Sequence, residues 1–395
     1  MLNETYKAML QNKNVIRELS EFAFARGREI GYENVFDFSL GNPSVDVPAS
    51  LTAKMKELLD TKDTMTLHGY TPTLGNARFK EAVAESLNRR YGMHYKAEHI
   101  FPTTGAAGAV AHAVRAISKP GDEVIVFAPY FSEYTPYIEG AGCVKRVVEA
   151  DTEEFQINFE RLEESFGEKT AAVLINTPNN PSGVIYTSET LHALSKMLHE
   201  QSKRFGHVIY LITDEPYRDI VFKGFESPYV SEFYPHTLSC YSFAKSMSIP
   251  GERLGYVAVH PDCEGADVIV PMCGQISRGL GHNCPPSIIM QAVAEVIDDV
   301  SDLSVYETNM NIIYETLREL QIPCVKPGGT FYIFPRALEE DAVAFCKKAT
   351  AYDLILVPSD GFGVKGFFRM AYCVDTEKVR RAMPRFRQFI TETYR

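Results

Sequence analysis

The sequence predicts an α/β protein, with a three-layer α/β/α large domain built on a mainly parallel sheet and a smaller α+β domain. Three observations lead there. Short continuous apolar runs, several rich in β-branched residues, recur between helical stretches. Strands that are apolar on both faces belong to parallel sheets covered by helices on both sides. The chain of 395 residues is too long for one ordinary core, and its 45% of hydrophobic residues can fill two. After about residue 285 the regular alternation gives way to longer helices with few strands between them. The expected division is an N-terminal arm at 1–48 that joins the small domain, a large domain at 49–285 and a small C-terminal α+β domain at 286–395.

Residues 1 to about 30 read as a helical arm, and Val35–Leu40 as a short strand that stops at Gly41-Asn42-Pro43. Helices follow at about Ser50–Leu59 and Asn76–Tyr91. Ala106–Ile117 is an alanine-rich helix ended by Lys119-Pro120-Gly121-Asp122, and Glu123–Ala128 is a strand. Ala171–Asn176, Val208–Thr213, Thr237–Ser242 and Tyr256–His260 are further strand-like runs. A long helical segment, Ser287–Leu320, then leads to a strand at Gly329–Pro335. A helix at Glu339–Ala351, a strand at Phe367–Val374 and a closing helix from about Thr376 complete the chain.

Composition removes several function classes. A net charge of -11 with no long basic cluster speaks against a nucleic-acid partner. The eight cysteines form no Cys-x-x-Cys pair and mostly sit in apolar runs, as free thiols of a reducing compartment do. No His-Glu-x-x-His or similar pattern calls for a metal, and His192 and His199 look incidental. The start of the chain is polar and amphipathic, unlike a signal peptide, and no apolar run has the length of a membrane span. A cytoplasmic protein is expected.

In parallel sheets ligands lie beyond the carboxyl ends of the strands. The unusual residues here follow strands: Phe131, Asn180, Asp214 and Lys245. Ser242-Phe243-Ala244-Lys245, with Arg253 eight positions on, suits one anionic cofactor, the hydroxyl and guanidinium holding a phosphate and the lysine reaching a carbonyl. By itself such a lysine is as often a solvated loop charge. Thr104-Gly105-Ala106-Ala107 opens a helix with small residues whose N–H groups can cradle a phosphate, though alanine-rich helix starts are common. Asn176-Thr177-Pro178-Asn179-Asn180-Pro181-Ser182-Gly183 presents an amide side chain at a strand end and otherwise reads as a plain turn. Asp214 directly follows an apolar run, where a carboxylate needs a partner unless it is a helix N-cap.

In this order the pieces resemble the class I/II aminotransferases, the fold-type-I pyridoxal-phosphate enzymes of the aspartate aminotransferase superfamily. The resemblance runs from Gly41-Asn42-Pro43 through His68-Gly69-Tyr70-Thr71-Pro72, the Asn-Pro-Ser-Gly loop, Asp214-x-x-Tyr217 and Ser242-x-x-Lys245 to Arg369. It implies that 49–285 binds pyridoxal 5′-phosphate. Lys245 would hold the cofactor as a Schiff base and then move a proton from the substrate Cα. Asp214 would keep the pyridine nitrogen protonated, and Asn180 and Tyr217 would bond the ring O3′. Phe131, or failing it Tyr130, would stack on the ring. Gly105, Ala106, Ala107, Ser242 and Arg253 would hold the phosphate, joined by Tyr70 from a second subunit, so a homodimer with shared active sites is implied. Arg369 would grip the substrate α-carboxylate, with Gly41 closing over it and Asn180 assisting.

The implied reaction moves the amino group of an L-amino acid to a 2-oxo acid by a ping-pong cycle. Within the same family the alternative is a C–S lyase acting by β-elimination, and synthases of 1-aminocyclopropane-carboxylate and decarboxylases share the scaffold. The entry Phe38-Ser39-Leu40-Gly41-Asn42-Pro43 looks more like a transaminase. Ser-x-x-Lys is also the nucleophile motif of penicillin-binding proteins and class A β-lactamases, but their Ser-Asp-Asn and Lys-Thr-Gly are missing. Gly361-Phe362-Gly363-Val364-Lys365-Gly366 fits a dinucleotide fingerprint in letters only, since it leads into a strand. A ligand-sensing role fits poorly with a chain that keeps every catalytic residue. Arg278 is a candidate for the distal carboxylate of a dicarboxylic substrate, or else an ordinary surface charge.

Overall fold

The computed structural model describes residues 2, 4, 7 and 15–395. Among these, twelve strands follow in order: β1 (Phe36–Asp37), β2 (Ile100–Thr103), β3 (Glu123–Phe127), β4 (Val144–Val148), β5 (Thr170–Asn176), β6 (Tyr210–Asp214), β7 (Thr237–Ser242), β8 (Gly255–Val259), β9 (Tyr332–Ile333), β10 (Leu354–Ile355), β11 (Val357–Pro358) and β12 (Phe368–Ala371). The chain forms two compact units. The larger holds Pro43–Ser304 and Gly328–Thr330, and the smaller holds the described residues up to Asn42, Val305–Pro327 and Phe331–Arg395.

The larger unit carries a seven-stranded sheet in the order β2-β8-β7-β6-β5-β3-β4. Neighbours run parallel except at β8, which is antiparallel to both β7 and β2. Every residue of β5 and of β7 is buried, as expected where both faces are covered. Alternate side chains feed two cores. Val124 and Val126 of β3, with Leu174 and Ile212, pack under the helices Gly105–Ile117 and Ala266–Leu280. Ile125 and Phe127, with Val173 and Leu211, pack under the helix Ser188–Phe205. The α/β reading of the sequence is therefore correct.

Two strands of this sheet escaped sequence reading, as did the two-residue strands β10 and β11 of the smaller unit. Pro102 sits inside β2, at a sheet edge where the ladder bond that proline cannot donate is not needed. At the other edge β4 leaves Val144 and Val147 exposed, so it shows no continuous apolar run.

The single helix expected over Ser287–Leu320 is instead two, Ser287–Glu295 and Ser304–Glu319. The acidic side chains between them are taken up by other bonds. Asp298 accepts from Ser86 and Arg89, Asp299 from Ser50, and Asp302 accepts from the Ser304 N–H. The first of these helices buries Ile289, Met290 and Val293 against Leu51, Phe79 and Leu87. It thus belongs to the larger unit, and the division falls at 304/305 where the sequence suggested 285/286.

In the smaller unit β1 pairs parallel with β10, and β11-β12-β9 form an antiparallel sheet. Phe345, Phe368, Phe386 and Phe389 are fully or almost fully buried and meet ring to ring. The helix Val15–Ile30 lies within the expected N-terminal arm. The rest of that arm, 1, 3, 5, 6 and 8–14, falls outside the described residues. Among those described, no helix is long and apolar enough to cross a membrane, and all eight cysteines are free.

Candidate active site

β5, β6 and β7 end together, at Asn176, Asp214 and Ser242. Asn176 and Asp214 are register partners. The Asn176 amide donates to the Asp214 carbonyl at 2.7 Å, and its Oδ1 accepts the Asn180 N–H at 2.6 Å. One buried side chain therefore fixes the carboxylate-bearing strand end to the loop that presents Asn180. Asn179 closes the same loop by accepting from the N–H and hydroxyl of Ser182 at 2.9 and 2.7 Å.

Asp214 is buried. Its Oδ2 accepts the Tyr134 hydroxyl at 2.6 Å, while Oδ1 has no donor among the described residues. Burial pushes the carboxyl up to about 7. The Tyr134 hydrogen bond opposes this and the Glu215 charge adds to it. Phe131 meets Tyr134 edge to face, with centroids 5.8 Å apart. The neighbouring Tyr130 is engaged by Lys145, whose Nζ donates to its hydroxyl at 3.0 Å and lies 4.3 Å from its ring centroid. Tyr217 is buried four residues before a turn of chain that runs alongside Gly328 and Gly329.

A second group gathers Gly105, Ser242 and Arg253. Ser242 and Gly255 are register partners across β7 and β8. A Cβ on Gly255 would lie 2.9 Å from the Gly105 Cα and 2.3 Å from the Tyr241 carbonyl, so only glycine lets the two backbones approach. Gly105 has φ 79°, and a Cβ there would come within 3.1 Å of Arg253 Nη2. Arg253 itself is left-handed, at φ 55°, a conformation that costs a non-glycine residue about 1 kcal/mol or more. It is held there by bonds from its guanidinium to the carbonyls of Pro250 and Thr104 at 2.8 and 3.2 Å. The result is a glycine-floored cup at the start of the helix Gly105–Ile117, edged by a hydroxyl and a guanidinium. Lys245 lies in the four-residue helix Phe243–Ser246, capped by Ser242, whose Oγ accepts the Ala244 N–H at 3.2 Å.

The smaller unit holds Arg369 in β12, 2% exposed. Its Nη2 donates to the Ser39 carbonyl at 2.7 Å, and the guanidinium lies 4.5 Å from the Tyr332 ring centroid. Ser39 is fixed in turn by Asp37, which accepts from its N–H at 2.9 Å and its hydroxyl at 2.6 Å. A Cβ on Gly41 would fall 1.8 Å from the Tyr332 hydroxyl oxygen, so glycine is required for this close approach. Tyr70 and Arg278 are both exposed on the single chain.

The family model for aminotransferase class I and II matches residues 33–386. The chain belongs to this family. An aminotransferase structure from Eubacterium rectale superposes with a TM-score of 0.97 at 40% identity, covering 100% of both chains. The aspartate aminotransferase of Thermus thermophilus with maleate superposes at 0.87 and 25% identity, over 98% of this chain and 99% of that one. By sequence, the chain is 29% identical to the aspartate aminotransferase of Geobacillus stearothermophilus, over 90% of this chain and 91% of that protein. It is 28% identical to aromatic-amino-acid aminotransferase 2 of Thermococcus litoralis, over 96% of each.

It is therefore a pyridoxal-phosphate-dependent aminotransferase acting on amino and oxo acids. The larger unit fits that cofactor on two observations. A buried carboxylate oxygen lacks a protein donor, as a protonated pyridine nitrogen would require. The glycine-floored cup with Ser242 and Arg253 suits a phosphate. Sequence reading missed Tyr134, Asn176 as a bridge, Gly255 and Tyr332, since none carries a charge, and Asn176 and Gly255 stand only at the ends of runs noted for other residues.

Proposed function

We propose that Lys245 is the residue that carries the cofactor and moves the proton at the substrate Cα in a ping-pong exchange between an L-amino acid and a 2-oxo acid. The observation that carries this assignment is the state of Asp214: buried, tied to Tyr134 through one oxygen and without a protein donor on the other. Bound pyridoxal phosphate supplies an electron sink for the pair left when the Cα proton departs. Asp214 accepts from the pyridine N–H through its open oxygen. Asn180 and Tyr217 donate to O3′, and Phe131 covers the ring face, Tyr130 being taken by Lys145. The N–H groups of Gly105, Ala106 and Ala107 hold the phosphate with Ser242 and Arg253. Arg369 receives the α-carboxylate beside Gly41, with Asn180 assisting. Borohydride reduction of the holoenzyme followed by peptide mapping tests the assignment. A pyridoxyl mass on Lys245 supports it, and the same mass on another lysine sinks it.

We infer that the working form is a homodimer, with Tyr70 completing the phosphate site of the partner. In support, Tyr70 is 107% and Met65 77% exposed, and Leu74 beside the helix Ala266–Leu280 is 38% exposed, so large apolar side chains close in sequence are left for a second subunit to cover. Light scattering of the holoenzyme tests it, with the mass of one chain as the contrary result. Eight free thiols support a reducing, cytoplasmic setting. Arg278, exposed on the single chain as Tyr70 is, stays a candidate for the distal carboxylate of a dicarboxylic substrate bound by the neighbouring subunit.

A further inference from the structure

Asp214, Tyr217 and Lys245 are each followed in the chain by a residue that enters one buried network. Glu215, Arg218 and Ser246 are 1%, 4% and 2% exposed. Arg218 is a buried cation whose Nη2 donates to the Tyr256 hydroxyl at 2.9 Å, while Nε and Nη1 have no hydrogen-bond partner among the described residues. Its charge is met by Glu215 at 3.6 Å and by the face of Tyr241, whose centroid lies 4.4 Å away. The same Tyr241 gives its hydroxyl to Asp219 at 2.5 Å and shares it with Ser246 Oγ at 2.8 Å. One ring thus touches the segment 214–219 from one side and the Lys245 helix from the other.

That helix has four residues, too few to hold an orientation by its own hydrogen bonds. External contacts must set it. Among them are the Tyr241–Ser246 hydroxyl pair, the Ser301 N–H, which donates to the Ser246 carbonyl at 2.8 Å, and the Phe243 N–H, which donates to the Leu254 carbonyl at 3.1 Å. A core built only for stability would place a hydrocarbon where Arg218 sits, since a buried ion pair is commonly replaceable by apolar packing without loss. A planar cation clamped on a tyrosine that also touches Ser246 has geometry as its product.

We propose that Arg218 is a positioning residue for amino-group transfer, clamping Tyr241 so that the Lys245 helix keeps its register against the strand end that bears Asp214 and Tyr217. This rests on the roles proposed above for those three residues.

Tyr241→Phe and Arg218→Lys, assayed as holoenzymes, test it. Tyr241→Phe keeps the ring under Arg218 and removes only the hydroxyl link. Its kcat falls about tenfold with KM within about twofold, and the pH midpoint of the bound cofactor's visible band moves by about 0.5 or more. Arg218→Lys keeps the charge but loses the plane that stacks, and its kcat falls about 100-fold. Parental kcat and pH midpoint in both variants, with only a lower thermal midpoint, would overturn the proposal. Should Arg218→Lys fail to fold, Tyr241→Phe decides by the same criteria. Turnover in Lys245→Ala would instead overturn the underlying assignment, whatever the two cage variants do.

Discussion

Tyr134 donates its hydroxyl to Asp214 Oδ2 at 2.6 Å, and the carboxylate's other oxygen, equally buried, meets no protein donor. One oxygen is thus fixed by the fold and the other is kept for a ligand. Burial makes the pair costly without that ligand, and on the proposed role of Asp214 the cofactor's ring nitrogen would offset this cost.

The cofactor-free protein should show the cost directly. Its folded state keeps the Asp214 proton up to about pH 7, whereas the unfolded chain releases it near about 4. The folded state therefore binds the extra proton between these values, and stability falls as pH rises through them, by about 4 kcal/mol at most. Asp214→Asn without cofactor should lose this slope and melt above the cofactor-free parent at pH 8. Thermal melts at pH 5 and pH 8 check it, and parallel slopes would count against the reading.

Tyr134→Phe removes the bond that holds the Asp214 carboxyl down, so its affinity for the proton rises further. On the proposed role of Asp214, cofactor binding needs the carboxylate ionised. Affinity should drop about tenfold at pH 6–7 and return toward the parental value by about pH 9. Equilibrium titration of cofactor at several pH values checks it. A loss that does not change with pH would mean that Tyr134 acts by packing alone.

Much of this was legible in the sequence, and what was missed has a common cause. Lys245, Asp214 and Arg369 stand out because a charge beside or within an apolar run demands a reason, and Arg253 because its place in Gly251-Glu252-Arg253-Leu254-Gly255 follows the Ser242–Lys245 motif. Tyr134 and Tyr332 do not, because an aromatic residue among other apolar residues reads as core. Asn176 ends an apolar strand and bonds only to backbone, a role set by the β5–β6 register. Arg218 was hidden because its cage comes from chain segments far apart in sequence. The break at 296–303 was missed for a similar reason: Asp298 and Asp299 are bonded by Ser86, Arg89 and Ser50, some 200 residues earlier.

Gly41→Ala should raise KM for the amino acid and lower kcat/KM by about tenfold or more, with cofactor binding unchanged. The new Cβ would collide with the Tyr332 hydroxyl, and Tyr332 lies against the Arg369 guanidinium. Steady-state kinetics beside a cofactor titration separate the two effects. An unchanged KM would show that the smaller unit absorbs the clash.

Asn176→Leu should destabilise the holoenzyme by about 2–5 kcal/mol, because it strands the Asp214 carbonyl and the Asn180 N–H in a buried setting. Chemical denaturation measures it. A change below about 1 kcal/mol would mean that both groups find other partners.

The most direct test of the account is a single half-reaction. Holoenzyme is mixed with one amino acid and no 2-oxo acid, the visible spectrum is followed and the products are weighed against enzyme sites. Complete conversion to the pyridoxamine form, with one 2-oxo acid per site and no ammonia, is the result expected of an aminotransferase. Release of pyruvate with ammonia while the starting spectrum returns would contradict it and make the chain a β-eliminating lyase.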